Sequence, residues 1–199
     1  GLPALRVLWI RSRVAEPALW LQREQKEAGK RVPLAELFRG RVLRNGILAT
    51  AMNAFSMFGY WGLFTWIPAY LSLPVEQGGR GLGMIKTTGF FLVLCAGKWL
   101  GYSFFGFFAD TFGRRKPYFA YLLVAAALVP LYGLARSPVW LFILGPFVAF
   151  FGTGYFSGFG AIASELFPGP VRASAMGLSY NVGRGLSALA PLTVGALAR

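Results

Sequence analysis

The chain has 199 residues, 56% of them apolar, 17% aromatic and only 14% charged, against about 25% charged in a typical soluble domain. A soluble fold of this size has too little interior to hide so many large side chains. The charges are lopsided, 20 Lys and Arg against 7 Asp and Glu with no histidine, for a net +13. The cations fall mostly between apolar runs, which indicates membrane topology rather than a nucleic-acid surface. A soluble enzyme and a nucleic-acid binder are excluded, and the predicted fold class is an all-α integral membrane bundle.

In chain order, residues 1–10 read as the last turns of a truncated transmembrane helix, and residues 11–45 as a cytoplasmic loop. Leu19, Trp20 and the charged run from Arg23 to Lys30 suggest a short helix on the membrane surface, beside the plainer reading of a linker. A bilayer-spanning helix needs about 20 mostly apolar residues. Five runs qualify within the bundle of residues 46–199, namely 47–73, 87–108, 118–134, 139–164 and 173–198, the third being the shortest. Runs this numerous are not signal peptides.

Positive charge sets the orientation. Ten Lys and Arg lie from Arg6 to Arg44, and Arg114, Arg115, Lys116 and Arg172 fall on the same side, 14 in all. The opposite side holds four, Arg80, Lys86, Arg136 and Arg199, so residues 11–45 are expected in the cytoplasm and the protein in the plasma membrane. The single cysteine, Cys95, is expected to pack within its span and to hold no metal. Gly97 with Gly101, and Gly154 with Gly158, repeat at four-residue spacing and permit close helix approach. Pro68, Pro130, Pro146 and Pro191 fall inside spans and remove backbone hydrogen bonds there. Kinked, closely packed helices suit a protein that rocks between conformations, although Gly and Pro are also simply common in membrane helices.

The most specific stretch is GFFADTFGRRKP, residues 106–117. It places Gly106 and Asp110 at the cytoplasmic end of one span, then a Gly113 turn, then Arg114 and Arg115. A carboxylate at a helix C-terminus opposes the helix dipole and needs a partner, either the adjacent arginines or the N-terminus of another helix. Glu165 and Arg172 bracket the turn into the last span on the same face and offer a second opposite pair. Together these residues are expected to form a latch that holds helix ends in one conformation and releases them in another.

This loop resembles the signature loop of the major facilitator superfamily, in its second copy between helices 8 and 9. Thr111 and Phe112 depart modestly from the usual pattern. GYWGLFTWIPAYL (59–71), SELFPGPVRASAMG (164–177) and SYNVGRG (179–185) resemble the branch of proton-coupled organic-acid and sugar-type symporters, and EPALW (16–20) resembles part of the central loop. The resemblance implies the end of helix 6, the central loop and helices 7 to 11 of a twelve-helix transporter. The N-terminal half would then be a partner in a central, alternating-access site, with inverted three-helix repeats expected in each half.

Two cations lie deep in spans, where an ionisable group is costly and marks function by default. Lys98 precedes Asp110 by 12 residues and Arg184 follows Arg172 by 12, which puts both about 18 Å from the cytoplasmic face at 1.5 Å per residue. No carboxylate of this sequence lies at that depth. An anionic substrate is the economical counter-charge, with Arg184 forming paired hydrogen bonds to a carboxylate; a fixed acidic partner in the other half is the alternative. Asn53, Asn181 and Tyr155 lie at similar depth as candidate hydrogen-bonding groups, with Trp61 and Tyr60 as stacking walls, although such residues also join helices.

The expected function is secondary transport of a small organic anion with protons, without cofactors and in contact with membrane lipid. Neutral sugar or polyol transport is the alternative within the family. A channel would show polar stripes, and an enzyme would need a nucleophile or metal constellation; neither pattern is present. No deep carboxylate or histidine exists to carry a proton, so coupling lies outside this sequence or the mechanism is not proton symport.

Overall fold

The computed structural model describes residues 34–197. The truncated helix and most of the cytoplasmic loop expected from the sequence therefore lie outside the described residues. Among the described residues the fold is all helical, with no strand. A short 3-10 turn, Leu34–Phe38, leads into α1, Gly40–Phe64, which is followed by α2, Ile67–Ser72. The long α3, Met84–Phe112, and α4, Arg115–Leu134, form the middle of the chain. Then come α5, Pro138–Gly154, α6, Phe156–Leu166, α7, Gly169–Ser187, and α8, Ala190–Leu197.

Four helical stretches, Gly40–Ser72, Ile85–Phe112, Arg115–Leu134 and Pro138–Leu166, are long and apolar enough to cross a membrane. Their exposed surfaces carry large apolar groups, with Phe55 79% and Leu123 70% exposed, as expected of helices solvated by lipid. The chain is an integral, multi-pass membrane protein. The fifth expected span is not among these four. Its region divides into α7 and α8, and α7 carries Arg172, Asn181 and Arg184 among glycines and serines. Those polar groups lower its apolar character below that of a lipid-solvated helix.

The four prolines act in two ways. Pro68 and Pro191 fall in the first turns of α2 and α8, where a missing N–H costs little. The long runs break just before them, at Thr65–Trp66 and Ala188–Leu189. Pro130 and Pro146 instead sit inside continuous helices. Ser137 caps α5, its hydroxyl accepting from the Val139 N–H at 3.3 Å. Helix α1 starts at Gly40, so Arg41 and Arg44 ride on its first turns rather than in a loop.

Two close helix pairs organise the bundle, α3 with α5 and α1 with α7. In the first, Gly97 and Gly101 lie against the backbone of Pro146 and Phe150, and Gly154 lies against the Gly101 carbonyl and Tyr121. In the second, Gly183 lies against Asn53 and Ala54. The expectation that Cys95 packs inside is corrected: its side chain is exposed. Leu94 and Gly97 are buried on the face of α3 turned to α5, and Cys95 lies about 100° round the helix from Leu94.

Arg80 closes the opposite end of the bundle from the signature loop. It donates to the carbonyls of Gly133 at 2.6 Å and Ala135 at 2.9 Å, and its guanidinium lies 4.9 Å from the Tyr70 ring centroid. These are among the unpaired carbonyls that end α4, and a cation there also complements the helix dipole.

Backbone contact at the glycines predicts a graded response to a single added methyl. Gly97→Ala and Gly101→Ala should each destabilise by about 1–3 kcal/mol or more and lower the temperature at which the detergent-solubilised protein loses its monodisperse peak. Gly106→Ala, where an added Cβ meets nothing within 4 Å, should leave that temperature unchanged.

Candidate functional site

The signature loop is built around Gly113, whose φ of 79° and ψ of 159° suit glycine and strain other residues. That turn returns the chain so that Arg114 faces back along α3. Its Nη1 donates to Asp110 Oδ1 at 2.6 Å and to the Ala109 carbonyl at 3.3 Å, while its Nε donates to Glu165 Oε1 at 3.3 Å. One guanidinium therefore bridges two carboxylates at the C-terminal ends of α3 and α6. The hydrogen bond that Arg114 donates to Asp110 is the main reason its pKa stands above the ordinary arginine value.

The expected pairing of Glu165 with Arg172 does not form. Arg172 donates instead to the Phe167 carbonyl at 3.1 Å, just past the end of α6. Arg115 forms no ion pair among the described residues and lines a separate apolar groove. Asn45 of α1 adds a tie to the same face, donating to the Leu166 carbonyl at 2.7 Å. Asp110 and Glu165 are 77% and 61% exposed, so this network holds helix ends in register while contributing little to stability.

The two deep cations keep their spacing because α3 runs unbroken from Lys98 past Asp110, and α7 from Arg172 to Arg184. Arg184 lines a cavity of about 270 Å³ with Met57, Tyr60 and Trp61 of α1, Tyr102 of α3, Phe156 of α6 and Tyr180 of α7. Its guanidinium has no hydrogen bond or ion pair among the described residues. Trp61 packs edge-to-face on Tyr60 at 5.3 Å, and Phe156 does the same from another side at 5.2 Å. The result is an open-sided chamber of aromatic rings in which the exposed guanidinium of Arg184 is unpaired among the described residues.

Lys98 lies beside this chamber rather than in its lining. Its ammonium sits 4.0 Å from the Phe64 ring centroid, 5.1 Å from Tyr60 and 5.6 Å from Phe91, and its Nζ donates to the Tyr60 hydroxyl at 3.4 Å. No carboxylate pairs with it among the described residues. Tyr60 is thus the common neighbour of both cations.

The other candidates are committed elsewhere. Asn53 is buried and donates to the Tyr180 carbonyl at 2.9 Å, joining α1 to α7. Tyr155 is buried and donates to the Ser56 carbonyl at 3.1 Å, with Ser56 and Tyr118 hydrogen-bonded at 2.6 Å. Asn181 donates to the Gly177 carbonyl one turn back at 2.8 Å and does not line the chamber. A larger groove of about 890 Å³ runs between α1 and α4 past Tyr155, but its walls are apolar and its only charged group is Arg115. Converging polar groups mark the smaller chamber as the candidate site.

Tyr102 and Tyr180 were missed by sequence reasoning, yet each lies four residues from a singled-out cation, Lys98 and Arg184 respectively. Helical spacing puts such pairs on one face.

Set beside known proteins, nearly the whole chain aligns with bacterial transporters. It is 32% identical over 99% of its length to the cis,cis-muconate transport protein of Acinetobacter baylyi. It is 30% identical over 98% of its length to a probable 4-methylmuconolactone transporter of Cupriavidus pinatubonensis. A putative metabolite transport protein of Haemophilus influenzae is 26% identical over 98% of the chain. The chain resembles the C-terminal half of a major facilitator transporter. It spans 48%, 44% and 48% of those relatives respectively, about half the length of each. No family model matches it.

If the Arg114 bridge acts as a latch, Asp110→Asn should lower turnover by about fivefold or more while leaving substrate affinity and thermal stability close to wild type. Uptake kinetics and a melting curve at equal expression check this, and an unchanged turnover would count against it.

Proposed function

We propose that the chain forms one half of a secondary transporter that carries small organic anions of the carboxylate class across the plasma membrane by alternating access, with protons as the coupling ion. The observation that carries the reading is the Arg184 guanidinium, unpaired among the described residues and exposed in an open-sided aromatic chamber of about 270 Å³. A cation held there without a protein carboxylate is suited to an anion that brings its own charge, and a planar guanidinium pairs with a carboxylate through two parallel hydrogen bonds. The aromatic walls add flat contact surface suited to unsaturated or ring-bearing acids. The names of two relatives, a cis,cis-muconate and a methylmuconolactone transporter, agree with that chemistry.

Alternating access is supported by the broken helices around the chamber and by the Arg114 bridge at the cytoplasmic face. Proton coupling rests on the family resemblance, and the group that carries the proton is assigned to the other half of the transporter.

Proteoliposomes loaded with the transporter test the reading. Muconate and benzoate should accumulate in response to an imposed inward proton gradient, whereas neutral sugars and polyols should not. Arg184→Gln should reduce anion uptake about a hundredfold, as expected for loss of a paired, charge-assisted contact. Sugar accumulation, or anion uptake with unchanged affinity in the Arg184 variant, would contradict the proposal.

A further inference from the structure

The relation between Lys98 and Tyr60 extends the proposed anion site, on whose reading it rests. A lysine ammonium has three donors and no acceptor, so the 3.4 Å contact fixes the Tyr60 oxygen as the acceptor. The phenol hydrogen is then left for another group, and among the described residues the hydroxyl has no acceptor. The same tyrosine lines the chamber that holds Arg184. Its ring is gripped by Trp61 and Phe156 in edge-to-face contacts and by Phe64 at 5.0 Å. Tyr60 is therefore a fixed ring with a committed oxygen and an uncommitted O–H.

We propose that Tyr60 is a hydrogen-bond donor to the carboxylate bound at Arg184, and that Lys98 is the positioning residue that orients and polarises it. The ammonium does not line the chamber. It is held against Phe64, Tyr60 and Phe91, and it acts on the anion through the phenol. A phenol that accepts from a cation is a stronger donor through its own hydrogen, because successive hydrogen bonds polarise one another. The two deep cations thus have different roles: Arg184 contacts the anion directly, and Lys98 sets the strength and direction of a neutral donor beside it.

The test measures muconate and benzoate binding to the purified transporter by calorimetry, with the corresponding amides as neutral controls. Tyr60→Phe and Lys98→Met should each weaken carboxylate binding by about tenfold, the scale of a hydrogen bond to a charged group. The double variant should be no weaker than either single one, because both remove the same contact. Lys98→Arg should restore most of the affinity, since it keeps a cationic donor toward Tyr60. Melting curves of each variant are measured alongside, and a melting temperature close to wild type shows that weaker binding is not unfolding. Wild-type affinity in Tyr60→Phe, or additive losses in the double variant, would overturn the relay while leaving the Arg184 site standing. Full affinity in Arg184→Gln, or no binding of either carboxylate to the wild type, would overturn the anion-site reading and the relay with it.

Discussion

A positive charge inside a membrane must be held by something, and in this protein the holder of Lys98 is aromatic. Placing a lysine near the centre of a membrane helix costs about 2.5–3.5 kcal/mol on insertion scales. A carboxylate would offset that cost but would also neutralise the site. The Phe64, Tyr60 and Phe91 faces around Lys98 contribute roughly 0.5–2 kcal/mol each by cation–π attraction. That is enough to keep the ammonium in place without removing its charge. Arg184 is left exposed in the neighbouring chamber, with no cation–π contact and no ion pair among the described residues. The pair of cations therefore presents a net positive site, and the anion-carrying reading follows from that constraint.

The chamber exists because helices approach more closely than ordinary side chains allow. Gly97 and Gly101 bring α3 against α5, and Gly183 brings α7 against α1. Around these contacts Asn53 and Tyr155 reach across to the carbonyls of Tyr180 and Ser56. The Asn53 bond fixes where α7, and with it Arg184, stands relative to Tyr60 and Trp61 of α1, and the Tyr155 bond ties the α5–α6 junction to α1. At the end of the bundle opposite Arg80 the Arg114 bridge joins the ends of α3 and α6 through exposed carboxylates. A network that contributes little stability is one that can open and close cheaply, which suits a latch better than a buried ion pair would.

Much of this was legible in the sequence because membrane insertion leaves a strong local signal. Apolar run lengths locate the helices, and a deep Lys98 or Arg184 stands out against hydrocarbon wherever the chain turns. The turn at Gly113 and the charge order of Asp110 and Arg114 are likewise local. What depended on tertiary packing was not legible. Glu165 is bridged by Arg114, 51 residues away, rather than by Arg172 in the same turn. Asn53 and Tyr155 have the residue types of a binding site, but their partners are backbone carbonyls on neighbouring helices. Cys95 faces outward because close packing on α5 selects the face bearing Leu94 and Gly97. The polarity of α7 follows a related rule: a helix lined with small and polar groups gives up lipid solubility for contact with α1 and the chamber.

The most direct test is a crystal structure of the full-length protein with a bound carboxylate such as muconate. Carboxylate oxygens are expected within hydrogen-bonding distance of the Arg184 guanidinium, about 2.7–2.9 Å, in the chamber walled by Tyr60, Trp61 and Tyr102. A carboxylate bound elsewhere, or an Arg184 already engaged by an acidic side chain of the other half, would contradict the anion-site reading.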